Sequence, residues 1–494
     1  MAAVPLNSDA IDQLRADLSA ANYVVDEVLT RIGEAGQEGL GRNMTVPAEV
    51  ALGDSDDALS TLIRLFLLQR AVPAARLDGV LDTAVLTAAD YLATVGDTVR
   101  ALVDIRPYGS PDDGASGWVV SDLTPGLDLT VTPTRPDYVL GVSPASTTLA
   151  QISLRSQVGS ALDLGTGCGV QSLHLAHQAE TVVGTDVNAR ALELASLTAE
   201  LNDVDVELLN GSLYEPVAGR RFDLIVSNPP FVMSPPGKDA DTLVYREANF
   251  EGDRLVETLV RGAADHLNPG GSLQLLTNWA ILDQPWEERL REWVPAGCDA
   301  WFIERERLDV FTYIEMWLAD AGLGGTERWR PAYDEWLAYF DRLGIRAVGM
   351  GWVQITRVDR AEPVLRFESW PHQVAQPVGE VFARNLEAVE ASLLPVERLL
   401  ASRPALVDVE QETIGVPGAE DPQHVVFRQR VGLMRAVKAD TALAAVLGAL
   451  DGELTVGQVL AAVAQVLEID AAGLAAAVLP ELRAALRDQL LRLG

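Results

Sequence analysis

The stretch ALDLGTGCGVQSLHLA, residues 161–176, joins a short apolar run to three closely spaced glycines and then to a run with helical spacing. Glycine accepts positive φ angles and leaves the main chain bare, so a ligand can lie against the backbone at Gly165, Gly167 and Gly169. A helix that begins directly after Gly169 adds free N–H donors. The stretch therefore predicts a strand, a ligand-binding loop and a helix, with a nucleotide-type ligand at the loop.

The next predicted strand ends in Asp186, 23 positions after Asp163. A carboxylate at this place can accept both hydroxyls of a ribose. A dinucleotide dehydrogenase has a similar pattern, but its G-x-G-x-x-G fingerprint is absent because Val170 follows Gly169. The spacing favours a nucleoside site over a dinucleotide site, and a glycine-rich turn without a ligand is the structural alternative.

A second motif, SNPPFV at residues 227–232, follows a later predicted strand. The side-chain oxygen of Asn228 and the main-chain oxygen of Pro229 can accept both N–H groups of a planar amide or aromatic amine. Pro229 and Pro230 stiffen the loop, and Phe231 can lie on the face of the planar group. An ordinary proline turn is the alternative, but the place after a strand favours a site that holds a planar nitrogen for attack on an electrophile.

Strands and helices alternate around these motifs, which predicts an α/β domain with a mostly parallel sheet. The predicted strands are 160–164, 181–185, 206–209, 222–227 and 272–277, and the sheet resumes near 300–304 and 347–355. The predicted helices are 170–178, 189–202 and 254–266. This pattern divides the chain into an N-terminal domain at 1–125, the α/β domain at 126–360 and a C-terminal domain at 375–494.

The two flanking segments combine apolar-striped helices with short strand-like runs, and we predict mainly helical, winged-helix-like accessory domains. In the first of them, residues 56–70 have the spacing of an amphipathic helix. Winged helices often bind DNA. The many aspartates of this segment favour a packing or protein-docking module instead.

Composition limits the functional classes. The 494 residues carry 38 basic and 71 acidic side chains, a formal charge of −33, which opposes nonspecific binding to nucleic acid. Two cysteines are too few for a disulfide framework, and the chain shows neither a signal peptide nor an apolar run long enough to span a membrane. We expect a cytoplasmic protein with no membrane partner, and its oligomeric state is left open.

The pair of motifs resembles the class I S-adenosylmethionine-dependent methyltransferases that carry N/D-P-P-Y/F/W, the "methyltransferase small domain" group. This resemblance covers roughly residues 135–280 and implies a Rossmann-like fold, S-adenosylmethionine as cofactor and transfer of a methyl group to nitrogen. It implies catalytic roles for Asn228, Pro229, Pro230 and Phe231. The cofactor contacts that it implies are Asp163, Gly165, Thr166, Gly167, Gly169, Asp186, Val187, Ser212, Leu213, Asn228 and, in a lid-like segment, Pro144.

The group includes release-factor glutamine methyltransferases and the methyltransferases of exocyclic amines in RNA and DNA. The stretch EANFEGD, residues 247–253, looks like the former, whereas LQLLTNWA with Asn278 looks like the guanine-N2 enzymes of ribosomal RNA. The acidic composition favours a glutamine amide of a protein partner. An exocyclic amine of RNA or DNA is the main alternative acceptor, and a small molecule is a further one. A protein that binds the cofactor as a scaffold without catalysis is the alternative outside the enzymes.

Two weaker features are predicted to be structural. His174 and His177 share a helix face, but no third ligand lies near them in the sequence, so we predict no metal site. Seven tryptophans lie between Trp279 and Trp336, where core packing is favoured over a pocket for a flat substrate.

Overall fold

The computed structural model describes residues 6–130, 135–236, 250–417 and 424–493. The chain forms two compact units. One comprises residues 1–150 and 157–370, and the other comprises residues 151–156 and 371–494.

The first unit begins with short helices and two small antiparallel sheets. Its helices are α1 (Ser8–Ala20), α2 (Val25–Leu40), α3 (Val46–Leu52), α4 (Ala58–Leu62) and α5 (Thr83–Ala88). Its strands are β1 (Val72–Pro73), β2 (Leu92–Val95), β3 (Thr98–Ala101), β4 (Val103–Gly109) and β5 (Ser116–Asp122). Strand β3 lies between β1 and β2, and β4 pairs with β5 along its whole length. The winged-helix interpretation of this segment stays a prediction.

The predicted helix at residues 56–70 is present in part, at 58–67, but the prediction that it is amphipathic was wrong. Helix α4 continues into a π-helical turn at Ile63–Leu67, and every residue from Leu59 to Leu68 is buried. Even Arg64 is only 9% exposed, and its guanidinium donates to the carbonyl oxygens of Gly53 and Ser55 at 2.6 Å. The face that was expected to be exposed is therefore buried. It carries the small hydroxyl residues Ser60 and Thr61 and the arginine that binds two carbonyl oxygens.

The large sheet of the first unit contains the strands that the sequence predicts for its α/β domain. Its strands are β6 (Val158–Leu164), β7 (Ala179–Asp186), β8 (Glu207–Asn210), β9 (Phe222–Ser227), β10 (Leu267–Ile281), β11 (Cys298–Asp309), β12 (Ala347–Arg357) and β13 (Leu365–Ser369). They lie in the order β13-β11-β12-β10-β9-β6-β7-β8. Strands β6 to β10 are parallel, and β12 enters antiparallel between β10 and β11. This is a Rossmann-like sheet in which successive strands are added first on one side of β6 (β7 and β8) and then on the other (β9 and β10), so the predicted fold class is confirmed.

Helices connect these strands. They are α6 (Pro144–Ile152), α7 (Val170–Ala176), α8 (Ala189–Leu201), α9 (Arg254–His266), α10 (Trp286–Arg291), α11 (Val310–Asp320) and α12 (Trp329–Leu343). The predicted strand 222–227 and helix 254–266 match at both ends. The sequence predicted the α/β domain to end near residue 360, but strand β13 of the same sheet lies beyond that position. The other domain boundaries given above stay predictions.

Apolar side chains cover both faces of the parallel strands. One core contains Leu162, Ile225, Leu259 and Leu275, which come from the sheet and from α9. The other core is shared between α7, α8 and the N-terminal helices, and it includes Leu18, Phe66, Leu173 and Leu194. Residues of the first 125 positions therefore belong to the same packed interior as the helices that follow β6 and β7.

The second unit contains α13 (Gly379–Ala383), α14 (Asn385–Ser392), α15 (Val396–Ala401), α16 (Thr441–Gly448), α17 (Val456–Val466) and α18 (Ala471–Arg487). Its strands are β14 (Pro404–Leu406), β15 (Val409–Ile414), β16 (His424–Gln429), β17 (Ala436–Ala439) and β18 (Leu491–Leu493). The apolar stripes predicted at positions 443–450 and 456–463 are buried. The predicted cap at Thr455 is confirmed, because Thr455 and Gln458 form a capping box. Within the described ranges, no helix combines the length and the apolar character needed to cross a bilayer.

Candidate cofactor and methyl-transfer site

The glycine loop follows β6 and is held by the end of β7. The N–H groups of Gly165 and Thr166 donate to the carbonyl oxygen of Thr185 at 2.8 and 2.9 Å. Gly165 and Gly167 have φ angles of 79° and 55°, and a Cβ atom built at either position would meet no atom within 4 Å. The loop therefore presents bare backbone to open space, which is the arrangement a ligand needs.

Asp163 lies beneath this loop and is only 1% exposed. Its Oδ2 accepts hydrogen bonds from the hydroxyls of Thr166 and Ser172 at 2.6 and 2.7 Å. Burial raises the pKa of Asp163 to about 6, although the two hydroxyls act against the shift. The side chains of Asp163 and Thr166 thus fix the loop from inside the protein.

Asp186 ends β7 at the same edge of the sheet. Its Oδ2 accepts from the N–H of Gly167 at 3.0 Å, and its Oδ1 accepts from the N–H of Asn188 at 2.8 Å. Burial raises the pKa of Asp186, and the backbone donors oppose this shift. Each carboxylate oxygen keeps a further lone pair for a ligand. The next residue, Val187, leaves an apolar side chain 53% exposed beside this carboxylate.

The structure brings the other predicted cofactor residues towards this edge. Ser212 and Leu213 follow β8, whose last residue, Asn210, pairs with Asp186 in the sheet. The Asn210 amide also donates to the carbonyl oxygens of Asp186 and Val187 at 3.0 and 3.2 Å. Pro144 is exposed at the start of α6, which is tied to α7 by a 2.7 Å bond from Gln171 Nε2 to the carbonyl oxygen of Ser146.

The proline loop begins where β9 ends, next to the glycine loop. Asp163 pairs with Val226 across the parallel strands, and Ser227 Oγ donates to the carbonyl oxygen of Leu164 at 2.6 Å. Asn228 therefore follows immediately after the junction of the two loops. Its Oδ1 atom is buried and has no hydrogen-bond partner among the residues that the structure describes. A buried acceptor without a donor costs free energy, so this atom is suited to receive an N–H group of a bound molecule.

Pro229 is buried, whereas Pro230 and Phe231 are partly exposed. Phe231 therefore has free surface on which a planar group can pack. The four predicted catalytic residues lie together in one loop, and that loop lies beside the predicted cofactor residues. Their functional assignment is argued under the proposed function.

Sequence reasoning missed the residues that hold these loops. Ser172 lies one turn inside α7, and Tyr313 lies on α11, 80 positions after Met233. Tyr313 Oη accepts from the Met233 N–H at 3.1 Å and from the Asn278 amide at 3.0 Å. No local pattern points to Tyr313, because its contact is made through the fold. A hydroxyl at position 172, facing the carboxylate at 163, was a signal that could have been read.

The imidazole of His174 is held by side chains of the β4–β5 hairpin. Its Nδ1 lies 2.6 Å from Asp113 Oδ2 and its Nε2 lies 2.5 Å from the Tyr108 hydroxyl. Both ring nitrogens are therefore engaged by the β4–β5 hairpin. Across the described residues, no group of three or more histidine, cysteine, aspartate or glutamate side chains is arranged to hold a metal ion.

Part of the stretch EANFEGD lies outside the described residues, namely positions 247–249. In the remainder, Asp253 is 8% exposed, accepts from the Ala280 N–H at 2.7 Å and pairs with Arg289 at 2.5 Å. Asp253 thus anchors the segment that enters α9 to the end of β10. Most of the tryptophan cluster serves packing, since Trp279, Trp286, Trp293, Trp301 and Trp336 are buried.

Two family models match parts of this chain. Residues 141–293 match the methyltransferase small domain, and these residues contain both loops and strands β6 to β10. Residues 20–102 match a domain of unknown function (DUF7059).

Curated relatives match part of the chain. A release factor glutamine methyltransferase of Geobacter sulfurreducens is 33% identical over 161 residues, which are 30% of this chain and 55% of the relative. A ribosomal RNA small subunit methyltransferase C of Erwinia tasmaniensis is 35% identical over 129 residues, which are 26% of this chain and 33% of the relative. The match therefore spans about half of the first relative and a third of the second.

Solved structures align with a larger share of the chain. A methyltransferase of Pyrococcus furiosus is 21% identical with a TM-score of 0.27, covering 47% of this chain and 90% of that one. A 16S rRNA methyltransferase of T. thermophilus, in complex with AdoMet and guanosine, is 20% identical with a TM-score of 0.26, covering 45% and 58%. Residues 141–293 are therefore similar to the methyltransferase small domain, and strands β6 to β10, which they contain, form part of the Rossmann-like sheet.

Proposed function

We propose that this protein is an S-adenosylmethionine-dependent methyltransferase that transfers a methyl group to a planar nitrogen. The observation that carries the proposal is the Oδ1 atom of Asn228, which is buried beside the glycine loop and receives no hydrogen bond from any described residue. An acceptor in this position is suited to an N–H group and to the positive charge that develops on a nitrogen as it is alkylated.

The residues of the glycine loop fit the cofactor. Gly165 and Gly167 leave space where any other residue would place a Cβ atom. Asp186 keeps lone pairs for the ribose hydroxyls, and the exposed apolar surface of Val187 and the neighbouring Leu213 suit one face of an adenine ring. S-adenosylmethionine, when bound, supplies a methyl group as an electrophile.

The protein's own task is to hold and orient the acceptor. Asn228 Oδ1 and the carbonyl oxygen of Pro229 accept the two N–H groups, which fixes the plane of the amide or amine and directs its lone pair. Phe231 packs on the face of the same group. A strong general base is unnecessary, because the nitrogen becomes more acidic as it is methylated and gives up its proton to solvent.

A protein glutamine amide is the acceptor we propose. The chain carries a net charge of −33, and several arginines of its first unit are paired with carboxylates. These pairs are Arg135–Asp137, Arg190–Asp122, Arg289–Asp253 and Arg342–Glu251. Paired arginines offer little attraction to a phosphate backbone, whereas a protein partner needs none. The relative from Geobacter, named as a release factor glutamine methyltransferase, supports the same class.

An exocyclic amine of a nucleobase in RNA or DNA is the second candidate. Asn278 favours it, because its Oδ1 is a second buried acceptor with no partner in the described part of the chain, and its amide is linked through Tyr313 to the proline loop. The relative named as a ribosomal RNA methyltransferase is consistent with this candidate. A small-molecule acceptor is the third.

The experiment is transfer of radiolabelled methyl from S-adenosylmethionine into fractionated lysate of a strain that lacks this protein. If protease treatment removes the label, the result supports a glutamine amide as the acceptor. If nuclease treatment removes the label, the acceptor is a base amine and not a glutamine amide. Label confined to small molecules identifies the third candidate. No transfer above that of a heat-treated sample, although the cofactor binds, would contradict the proposed activity.

A further inference from the structure

The proline loop has a second anchor beyond the catalytic motif. Met233, two residues after Phe231, donates its N–H to Tyr313 Oη at 3.1 Å. The same oxygen accepts from Asn278 Nδ2, on β10, at 3.0 Å. One phenol oxygen thus joins the end of the loop to the neighbouring strand.

The position of this oxygen is fixed by packing. Tyr313 is fully buried, and its ring contacts Trp317, Trp336 and Phe340 with centroid separations of 5.8 to 6.3 Å. Val232 and Met233 lie in the same apolar core as these rings. Helix α11 itself is capped by Asp309, whose carboxylate accepts from the N–H groups of Phe311 and Thr312. The ring has little freedom to move, so its hydroxyl is a rigid point of attachment.

The loop is consequently held at both ends. Ser227 Oγ binds the carbonyl oxygen of Leu164 at the start, and Tyr313 Oη binds the N–H of Met233 at the end. Asn228 to Phe231 lie between these two bonds. We infer that Tyr313 is a positioning residue for methyl transfer, which holds Asn228 Oδ1 at the place where the acceptor nitrogen must lie. This inference rests on the proposed function.

Removing the phenol oxygen should loosen the loop without disturbing the cofactor site. In Tyr313→Phe the N–H of Met233 and the amide of Asn278 lose their common acceptor in a buried environment. The loop should therefore shift or become more mobile. A displacement of about 1 Å at a reacting group can lower a rate by about 100-fold. The glycine loop and Asp186 make no bond to Tyr313, so affinity for the cofactor should be retained.

A matched control is present on the next helix. Tyr339 lies in the same apolar core, is 4% exposed, and accepts from the N–H of Gly252 at 2.8 Å. Tyr339→Phe therefore removes a phenol of the same kind from a backbone donor that lies 19 positions further along the chain. A role limited to stability predicts the same result for both variants.

The test compares wild type, Tyr313→Phe and Tyr339→Phe in the full chain. Calorimetry measures the cofactor Kd. The rate of methyl transfer to the acceptor fraction that the wild type labels gives kcat and KM. Mass spectrometry measures hydrogen exchange on peptides that cover residues 222–236. We expect Tyr313→Phe to lower kcat about 10- to 100-fold, to leave the cofactor Kd within twofold and to increase exchange at 228–236. Tyr339→Phe should change none of the three.

An unchanged kcat in Tyr313→Phe, or equal losses in both variants, would overturn the inference. If Tyr313→Phe does not fold, Asn278→Leu removes one of the two bonds to the hydroxyl, and it should give a smaller increase in exchange at the same peptide. Unaltered exchange there would also overturn it. Failure of the proposed function has a different signature, because the wild type would then transfer no methyl group while the exchange measurement still reports on the loop.

Discussion

Two carboxylates at the residue scale, Asp163 and Asp186, close neighbouring parallel strands and have different tasks. Asp163 is 1% exposed and is occupied by the hydroxyls of Thr166 and Ser172. Asp186 accepts backbone N–H groups while keeping lone pairs directed to the loop surface. The first carboxylate therefore shapes the loop, and we propose that the second binds the cofactor.

Asp186→Ala should weaken cofactor binding by about 1–3 kcal/mol, or about 5- to 150-fold in Kd, because a partly buried acceptor is lost. Titration calorimetry with S-adenosylmethionine measures the effect. Asp205→Ala is the control, since Asp205 is an exposed aspartate of the same domain that follows α8. A dissociation constant for Asp186→Ala equal to that of the control would contradict the ribose assignment.

Asp163 should make the stability of the first unit depend on pH. Burial raises its pKa from 3.8 to about 6, so between about pH 4 and 6 the native state binds more protons than the unfolded state. The contribution of Asp163 to the free energy of unfolding must then fall as pH rises through this window. The loss amounts to something on the order of 3 kcal/mol by pH 7.

Asp163→Asn keeps an acceptor for both hydroxyls and cannot ionise. Urea unfolding of the two proteins without cofactor should therefore show a difference in stability that grows from pH 4 to pH 7 in favour of the variant. A difference that stays constant over this range would contradict the raised pKa. Asp205→Asn, measured in parallel, corrects for general effects of charge.

Residues at strand ends were predictable, and residues that support them were not. Asp163, Asp186 and Asn228 each follow an apolar run, and the carboxyl ends of parallel strands meet at one edge of a sheet. Tyr313 has no such signal, because its contact with Met233 joins positions 80 apart. The orphaned state of Asn228 Oδ1 is likewise a property of the fold, which no local pattern reports.

At the scale of elements, the β4–β5 hairpin packs closely on α8. The N–H of Trp118 donates to Asn202 Oδ1 at 2.9 Å, and the Asn202 amide returns a bond to the carbonyl oxygen of Trp118 at 2.7 Å. Gly117 has a φ of 146°, and a Cβ atom there would come within 1.6 Å of Asn202 Oδ1. The approach of hairpin and helix is therefore possible only with glycine at this position.

Gly117→Ala should lower the free energy of unfolding by about 2–4 kcal/mol, because the methyl group displaces Asn202 and leaves its backbone partners unpaired. Gly114→Ala is the matched control in the same hairpin. Its φ is 77° and a Cβ atom would meet nothing within 4 Å, so only backbone strain of about 1–2 kcal/mol is added. Equal losses in urea unfolding would show that the contact with Asn202 contributes nothing.

Elements with a single clear apolar pattern were predicted well, whereas the helix whose polar side chains the fold covers was not. Strand β9 and helix α9 matched at both ends, because each has a clear apolar pattern and clear stop signals. The helix at residues 58–67 seemed amphipathic from its sequence, since Ser60, Thr61 and Arg64 interrupt the apolar residues. Tertiary packing buries all three, and a sequence pattern cannot report which polar side chains receive partners.

At the scale of the whole molecule, the N-terminal helices and the cofactor helices share one core. Leu18 of α1 and Leu194 of α8 are both fully buried in it. The Arg15 guanidinium also donates to the carbonyl oxygen of Leu201 at 3.0 Å. The same core contains Tyr23, Phe66 and Val99 of the segment that matches a domain of unknown function, so that segment is continuous with the packing behind the cofactor loop.

Leu18→Ala should lower the stability of the first unit by about 2–5 kcal/mol, the usual effect of truncating a buried leucine. Because the core is shared, hydrogen exchange should increase at residues 158–201 as well as around α1. Increased exchange confined to the first 125 residues would show instead that the N-terminal segment unfolds independently, as the predicted boundary at residue 125 implies. Val50→Ala on α3 is the control, since Val50 is 74% exposed.

The central claim is that Asn228 Oδ1 serves the methyl acceptor and not the cofactor, and the most direct test is to measure both properties of Asn228→Ala in one preparation. Calorimetry gives the affinity for S-adenosylmethionine, and labelled methyl transfer to the wild type's acceptor fraction gives the rate. We predict a nearly unchanged Kd and a rate lowered by about 100-fold or more, because the acceptor that stabilises the developing charge is gone. Equal losses of affinity and rate, or an unchanged rate, would contradict the account.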